Sequence, residues 1–138
     1  MQDRYFRPDY EGGPFSTIKS FNDWCLAATT RKQPGPGGIT GPYPDLLPVT
    51  GNIYFTHGGL TLGHIIKSDG PGPRQIVGIL EWQQAGWYPE YWEYCKLLDG
   101  VECTHEWHSA GWADKVMRPY EDEWDVFADY ALWRFPVA

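Results

Sequence analysis

Between Gln33 and Pro48 proline or glycine stands at nearly every second position, and this run constrains the fold more than any other feature of the chain. Proline removes a backbone donor and fixes φ, and glycine makes an ordered backbone entropically expensive, so neither a helix nor a β-ladder persists there. The segment reads as a long loop (33–48), and loops of that length commonly carry function or motion. Regular structure must therefore lie on either side of it. Before it, residues 1–15 are turn-rich and end in Gly12-Gly13-Pro14-Phe15, after which Ser16 or Ser20 can cap a helix. Phe21, Trp24, Cys25 and Ala28 recur at i, i+3, i+4 and i+7 on one face of that helix, which is expected to end near Thr30.

After the loop, Ile53 to Thr56 reads as a short apolar strand leading into His57-Gly58-Gly59-Leu60. Ile65-Ile66 begins a second strand, Lys67 to Arg74 forms a turn around Asp69-Gly70-Pro71-Gly72-Pro73, and Gln75 to Leu80 returns as its partner. Pro89 sits where it can begin a helix whose apolar positions are Tyr91, Trp92, Tyr94, Cys95 and Leu98. A last amphipathic helix is expected from about Pro119 to Trp133, using Tyr120, Trp124, Phe127, Ala128 and Ala131. There is no internal repeat, and 138 residues suit a single domain (1–138). The pattern implies an α+β, mostly helical fold with a small antiparallel β-hairpin. An aromatic share of 17%, with eight Trp and nine Tyr, supplies enough apolar surface to close a core.

The formal charge of -7 argues against a nucleic-acid partner, since phosphate contacts need clustered Lys and Arg. No apolar run approaches the roughly 20 residues that cross a bilayer, and the N-terminus has no hydrophobic signal core, so the expectation is no membrane and a cytoplasmic location. Cys25, Cys95 and Cys103 are too few and too irregularly spaced for a disulfide framework. Cys25 and Cys95 fall on apolar helix faces and are expected to be inert thiols. Cys103, His105 and His108 have ligand-type side chains but lack a fourth ligand, so we expect surface or packing residues there and no metal.

Two stretches carry a resemblance: Phe55-Thr56-His57-Gly58-Gly59-Leu60, and Gly78-Ile79-Leu80-Glu81-Trp82-Gln83-Gln84-Ala85-Gly86-Trp87 continuing through Tyr88-Pro89-Glu90-Tyr91-Trp92-Glu93-Tyr94. They resemble the aminoglycoside phosphotransferase family, a kinase-like family, and especially its fungal branch. Gly13-Pro14-Phe15 and Phe21-Asn22-Asp23-Trp24 also look like that family's helical lobe, so the resemblance covers most of the chain. It implies a kinase-like C-lobe with the N-lobe absent. In those relatives the first motif is His-Gly-Asp-Leu with an Asn five residues after the Asp, and the second begins Asp-Trp-Glu. The loop Asp orients the incoming hydroxyl, and the Asn and second Asp hold Mg²⁺. The matching positions in this chain are Gly59, His64 and Glu81. Gly59 has no side chain to take a proton, His64 offers nitrogen where a hard cation prefers oxygen, and Glu81 is one methylene longer than Asp. No strand lysine of the Val-Ala-Ile-Lys type and no G-x-G-x-x-G loop is present. Gly35-Pro36-Gly37-Gly38 is a poor phosphate cradle because its prolines break the strand-to-helix setting.

The resemblance thus implies a lobe that has lost phosphotransfer and needs no cofactor. If the family backbone is kept, His64 and Glu81 face the former metal position from the two ends of the hairpin, as an acid/base pair in which the carboxylate holds the imidazole tautomer. The missing side chain at Gly59 would enlarge the pocket, suiting a small organic molecule. His57 is expected to brace the loop backbone, and Trp82 and Trp87 to line the pocket, beside the alternative of simple core packing. The first expectation is an ATP-independent cyclisation, isomerisation or elimination in specialised metabolism, on a small metabolite that the fungal-branch resemblance implies to be aromatic or polyketide-like. A non-catalytic binding or scaffold lobe, and residual phosphotransfer with a separate N-lobe, are the alternatives. Apolar surface left uncovered calls for the Pro/Gly-rich segment, a ligand or a second subunit, and of the oligomeric states a homodimer is favoured.

Overall fold

The computed structural model describes residues 12–30 and 46–134. Most of the 33–48 loop and the start of the 1–15 segment therefore lie outside the described residues. Within them the chain is α+β, with five α-helices and two separate two-stranded antiparallel sheets.

Helix α1 spans Ile18–Thr30. Its N-terminus is closed by Thr17 rather than by either serine expected to cap it. The Ser20 backbone N–H donates to Thr17 Oγ1 at 3.0 Å and the Thr17 N–H donates to Ser20 Oγ at 3.2 Å. Ser20 thus sits at the third helical position and reaches back, satisfying two otherwise orphaned donors reciprocally. The buried face carries Ile18, Phe21, Cys25 and Ala28, together with Asn22. Both ends of the Asn22 amide are bonded: Nδ2 donates to the Pro48 carbonyl at 2.9 Å and Oδ1 accepts from the Tyr91 hydroxyl at 2.5 Å. Burial pushes the Tyr91 phenol up from its ordinary value, so it stays a donor in this bond.

Strand β1 (Ile53–Thr56) pairs with β4 (Gly86–Pro89), with Ile53 opposite Pro89 and Phe55 opposite Trp87. The expected hairpin is present as β2 (Ile65–Lys67) and β3 (Ile76–Ile79), with an irregularity between Ile66 and Lys67. The expectation that Pro89 begins a helix is corrected: Pro89 closes β4, and helix α2 (Trp92–Asp99) starts after a turn at Glu90-Tyr91. Aromatic residues fit a pleated, half-buried surface. Trp87 points to solvent and Tyr88 into the core, the period of a strand. The Glu90 N–H extends the ladder by donating to the Asn52 carbonyl at 2.9 Å.

Two short helices, α3 (Glu106–Ser109) and α4 (Trp112–Val116), precede the long α5 (Glu121–Arg134). Glu121, Asp122 and Glu123 complement the positive end of the α5 dipole. Helix α5 packs on α1 and α2, and Val126, Phe127 and Tyr130 enter the core.

The centre of that core is Trp92, 1% exposed. Its ring stacks on Tyr88 at 5.6 Å and meets Phe21 and Phe127 edge-on at 5.2 and 5.1 Å, so one side chain touches β4, α1 and α5. Trp92→Ala is expected to cost about 3–5 kcal/mol, the range for deleting a buried aromatic side chain. Urea unfolding followed by far-UV circular dichroism measures it; a loss below about 1 kcal/mol would show that the ring is not the hub.

Candidate functional site

The chain leaves β1 at Thr56 and turns immediately through His57-Gly58-Gly59. Gly58 has φ +76, and a Cβ there would lie 2.8 Å from the Gln84 carbonyl oxygen, so only glycine fits. The turn is held from below by Glu93 in the first turn of α2. Its Oε2 accepts the His57 N–H at 2.6 Å and its Oε1 accepts the Gly58 N–H at 3.1 Å. Burial pushes the Glu93 carboxyl up from its ordinary value; the two backbone bonds, and after them the Lys96 charge, pull it back in part. Lys96, 7% exposed, donates from Nζ to Gln84 Oε1 at 3.1 Å.

The two histidines of the loop are wired differently. His57 Nε2 lies 2.8 Å from the Leu80 carbonyl oxygen, and a carbonyl only accepts, so Nε2 carries the proton. His57 Nδ1 accepts the Gly59 N–H at 3.1 Å. Both ring nitrogens are therefore used in a neutral imidazole, and His57 braces backbone. His64 closes a 3₁₀ turn (Leu62–His64), and its Nδ1 lies 2.7 Å from the Gly59 carbonyl oxygen. By the same logic Nδ1 carries the proton, and in the neutral ring Nε2 holds a lone pair. Among the described residues no hydrogen bond engages that nitrogen.

Glu81 stands at the other end of the hairpin with φ 64 and ψ 59, in the left-handed region. Leu80 N–H donates to the His64 carbonyl at 2.8 Å, so the two ends of the hairpin are joined through backbone. The side chains are not: Glu81 is exposed and its Oε2 accepts from Gln83 Nε2 at 2.8 Å. The group on His64 Nδ1 is the Gly59 carbonyl, not a carboxylate. At Gly59 the Gln84 amide is the neighbour of the α-carbon: its Nε2 would lie 3.0 Å from a Cβ, so a side chain there would press on that amide.

The aromatic residues form a continuous path on the outer face. Trp82 meets the His57 ring at 4.6 Å and anchors its own Nε1–H on the Ile79 carbonyl at 2.7 Å. Phe55 stacks on Trp82 at 6.2 Å and touches Trp87 edge-on at 5.6 Å. Trp87 is 70% exposed and lines a cavity of about 430 Å³ beside β1 and β4. The His57 and His64 rings are 6.3 Å apart. The loop thus brings together His57, Gly59, His64 and Trp82, with Trp87 further along the path and Glu81 pointing to solvent.

Glu93, Gln84 and Lys96 were not found by sequence reasoning, which assigned the helix after Tyr91 to packing. The available signal was a Glu and a Lys three residues apart among otherwise buried positions of α2, a placement that charged residues tolerate only with partners. Among the described residues no group of three or more His, Cys, Asp and Glu is placed to hold a metal. His105 Nδ1 accepts the Trp107 N–H, and His108 Nε2 donates to the Leu98 carbonyl at 3.0 Å. Cys25 and Cys95 are buried, and burial pushes the Cys95 thiol up, away from reactivity. Among the described residues no helix is long and apolar enough to cross a membrane. Comparison with protein-family models, with characterised proteins and with solved structures finds no match to the chain.

Glu93→Ala leaves the buried N–H groups of His57 and Gly58 without their acceptor and is expected to cost about 2–4 kcal/mol. Because the folded-state carboxyl is raised, the folded chain binds its proton at higher pH than the unfolded chain does. This group therefore favours folding more as pH falls through the raised value toward the ordinary one, and less as pH rises through it. The stability gap between wild type and variant should accordingly widen on acidification. Denaturant titrations at several pH values check both the size and the slope, and a gap that narrows would contradict the assigned burial effect.

Proposed function

We propose that the chain is a kinase-like C-lobe without phosphotransfer that binds a small organic molecule and assists an ATP-independent proton transfer on it. His64 is the acid/base group. One observation carries this reading: the Gly59 carbonyl, 2.7 Å from His64 Nδ1, fixes the tautomer that presents the unprotonated Nε2. When Nε2 takes a proton, the imidazolium charge is shared through Nδ1–H with the same carbonyl dipole, which supplies the orienting partner that a carboxylate supplies elsewhere. His57 cannot serve, since both of its nitrogens are engaged with backbone. The reading gives Glu81 no direct role on the imidazole, and it needs no cofactor.

The position equivalent to the relatives' catalytic Asp argues against a kinase on two grounds. Gly59 has no side chain, and one placed there would press on the Gln84 amide, whose nitrogen lies 3.0 Å from the Cβ position. Proton transfer suits an isomerisation, where the base returns the proton to another carbon, or an elimination or cyclisation, where the electron pair left behind expels or attacks a second group.

A planar, uncharged benzisoxazole tests the reading without knowledge of the natural substrate. The base removes the ring C–H proton, its electron pair completes the nitrile, and the N–O bond breaks to release a phenolate that is followed by absorbance. The wild-type chain should accelerate this opening over buffer, His64→Ala should lower the rate at least tenfold, and Mg²⁺-ATP should leave it unchanged. Acceleration that survives His64→Ala would remove the assigned role.

A second reading, a docking lobe without turnover, draws on a different observation. Ile76 and Val77 are 65% and 63% exposed on β3, whose only strand partner among the described residues is β2. The stretch Gln75 to Leu80 carries no charge, so two copies can pair edge to edge without opposing like charges, whatever the net charge of -7. On this reading sedimentation analysis finds a dimer, and Val77→Lys shifts it to monomer. A monomer at every concentration would dismiss this reading.

A further inference from the structure

Resting on the His64 reading above, we infer that the cavity beside the outer face of β1 and β4 is the subsite for a flat, uncharged ring system of the ligand. Its walls include Phe15, Phe21, Ile53, Ala85, Trp87 and Pro89, and among the described residues no ionisable side chain lines it. A charged group placed there would lose its hydration with no partner to offset the loss, so nucleotides, phosphates and carboxylates do not suit it. An apolar cavity of about 150 Å³ takes a single benzene ring. A volume of about 430 Å³ has room for two or three fused rings.

The walls also select shape. Phe15 meets Phe21 edge-on at 5.5 Å on the inner side. Trp87, on the outer side, is 70% exposed. A tryptophan held this far into solvent gives up the stabilisation that its large apolar surface would gain if covered. A ring seated between the inner aromatics and Trp87 recovers that stabilisation.

The subsite is joined to the acid/base group by rings in contact: Trp87 to Phe55, Phe55 to Trp82, and Trp82 to His57, with His64 beyond. A ligand anchored at Trp87 and extending along this face would carry its reacting carbon toward His64. The preferred substrate class is therefore an elongated, uncharged, fused-ring molecule with its acidic C–H on the substituent remote from the anchored rings.

Calorimetric titration of the full chain with 2-naphthol, and with naphthalene-2-sulfonate as its charged counterpart, tests the subsite. The expected result is one naphthol per chain, with the sulfonate at least tenfold weaker. Trp87→Ala, which removes the outer wall, and Ala85→Phe, which fills the cavity, should each weaken naphthol at least tenfold. Should Ala85→Phe fail to fold, Trp87→Ala decides, because its side chain lies mostly outside the core. Equal affinity for the two probes, naphthol binding indifferent to Trp87→Ala, or one naphthol shared by two chains would each overturn the assignment. Naphthol binding involves no proton transfer, so a failed subsite leaves the His64 reading to its own test with the benzisoxazole.

Discussion

The Trp92 ring, packed at once against β4, α1 and α5, is the contact on which the remaining geometry depends. Among the described residues the two small sheets are separate, and no extended layer holds the helices in place. The helices are positioned by aromatic contacts instead, and Trp92 meets Tyr88, Phe21 and Phe127 at once. Glu93 is the next residue along. The first turn of α2 therefore fixes the core with one side chain and the His57-Gly58 turn with the following one. Any displacement of the indole is passed to the carboxylate within a single residue, so the candidate site inherits its order from the core.

Above that anchor the loop is a closed circuit of hydrogen bonds in which each group has one role. Gly59 donates its N–H to His57 and lends its carbonyl to His64. Gly59 thus sets the protonation pattern of both imidazoles through its backbone. Gln84 joins the same arrangement, with its amide beside Gly59 and its oxygen accepting from buried Lys96. The chemistry open to the loop rests on peptide groups rather than on paired acidic side chains.

Much of this was legible in the sequence where one periodic signal dominated. The α1 face, the hairpin at Ile65 to Leu80 and the terminal helix all follow from spacing, because burial and periodicity agree in them. Strand β4 was hidden because Gly86-Trp87-Tyr88-Pro89 runs directly into a helix, and proline before a helical pattern also reads as a helix start. The α1 cap was placed on the wrong residue since Ser16, Thr17 and Ser20 are chemically equivalent candidates, and only the reciprocal bond selects Thr17. At the site, the residues were identifiable but their wiring was not. That the Gly59 carbonyl rather than Glu81 meets His64, and that Gln84 occupies the space beside Gly59, depends on contacts between segments that no local pattern encodes. The left-handed backbone of Glu81 has the same origin, being imposed on a residue with no intrinsic preference for it.

The packing of α1 against α5 also bears on how the chain is assembled. These helices lie on opposite sides of all the strands in sequence, and Asn22 reaches Tyr91 across the same interval. Contacts of such separation require most of the intervening chain to be ordered before they form, which slows folding compared with a bundle of neighbouring helices. During synthesis part of the apolar face of α1 can be covered once Tyr88 and Trp92 are made, and the remainder waits for α5. Over that interval the growing chain exposes apolar surface that the finished fold covers.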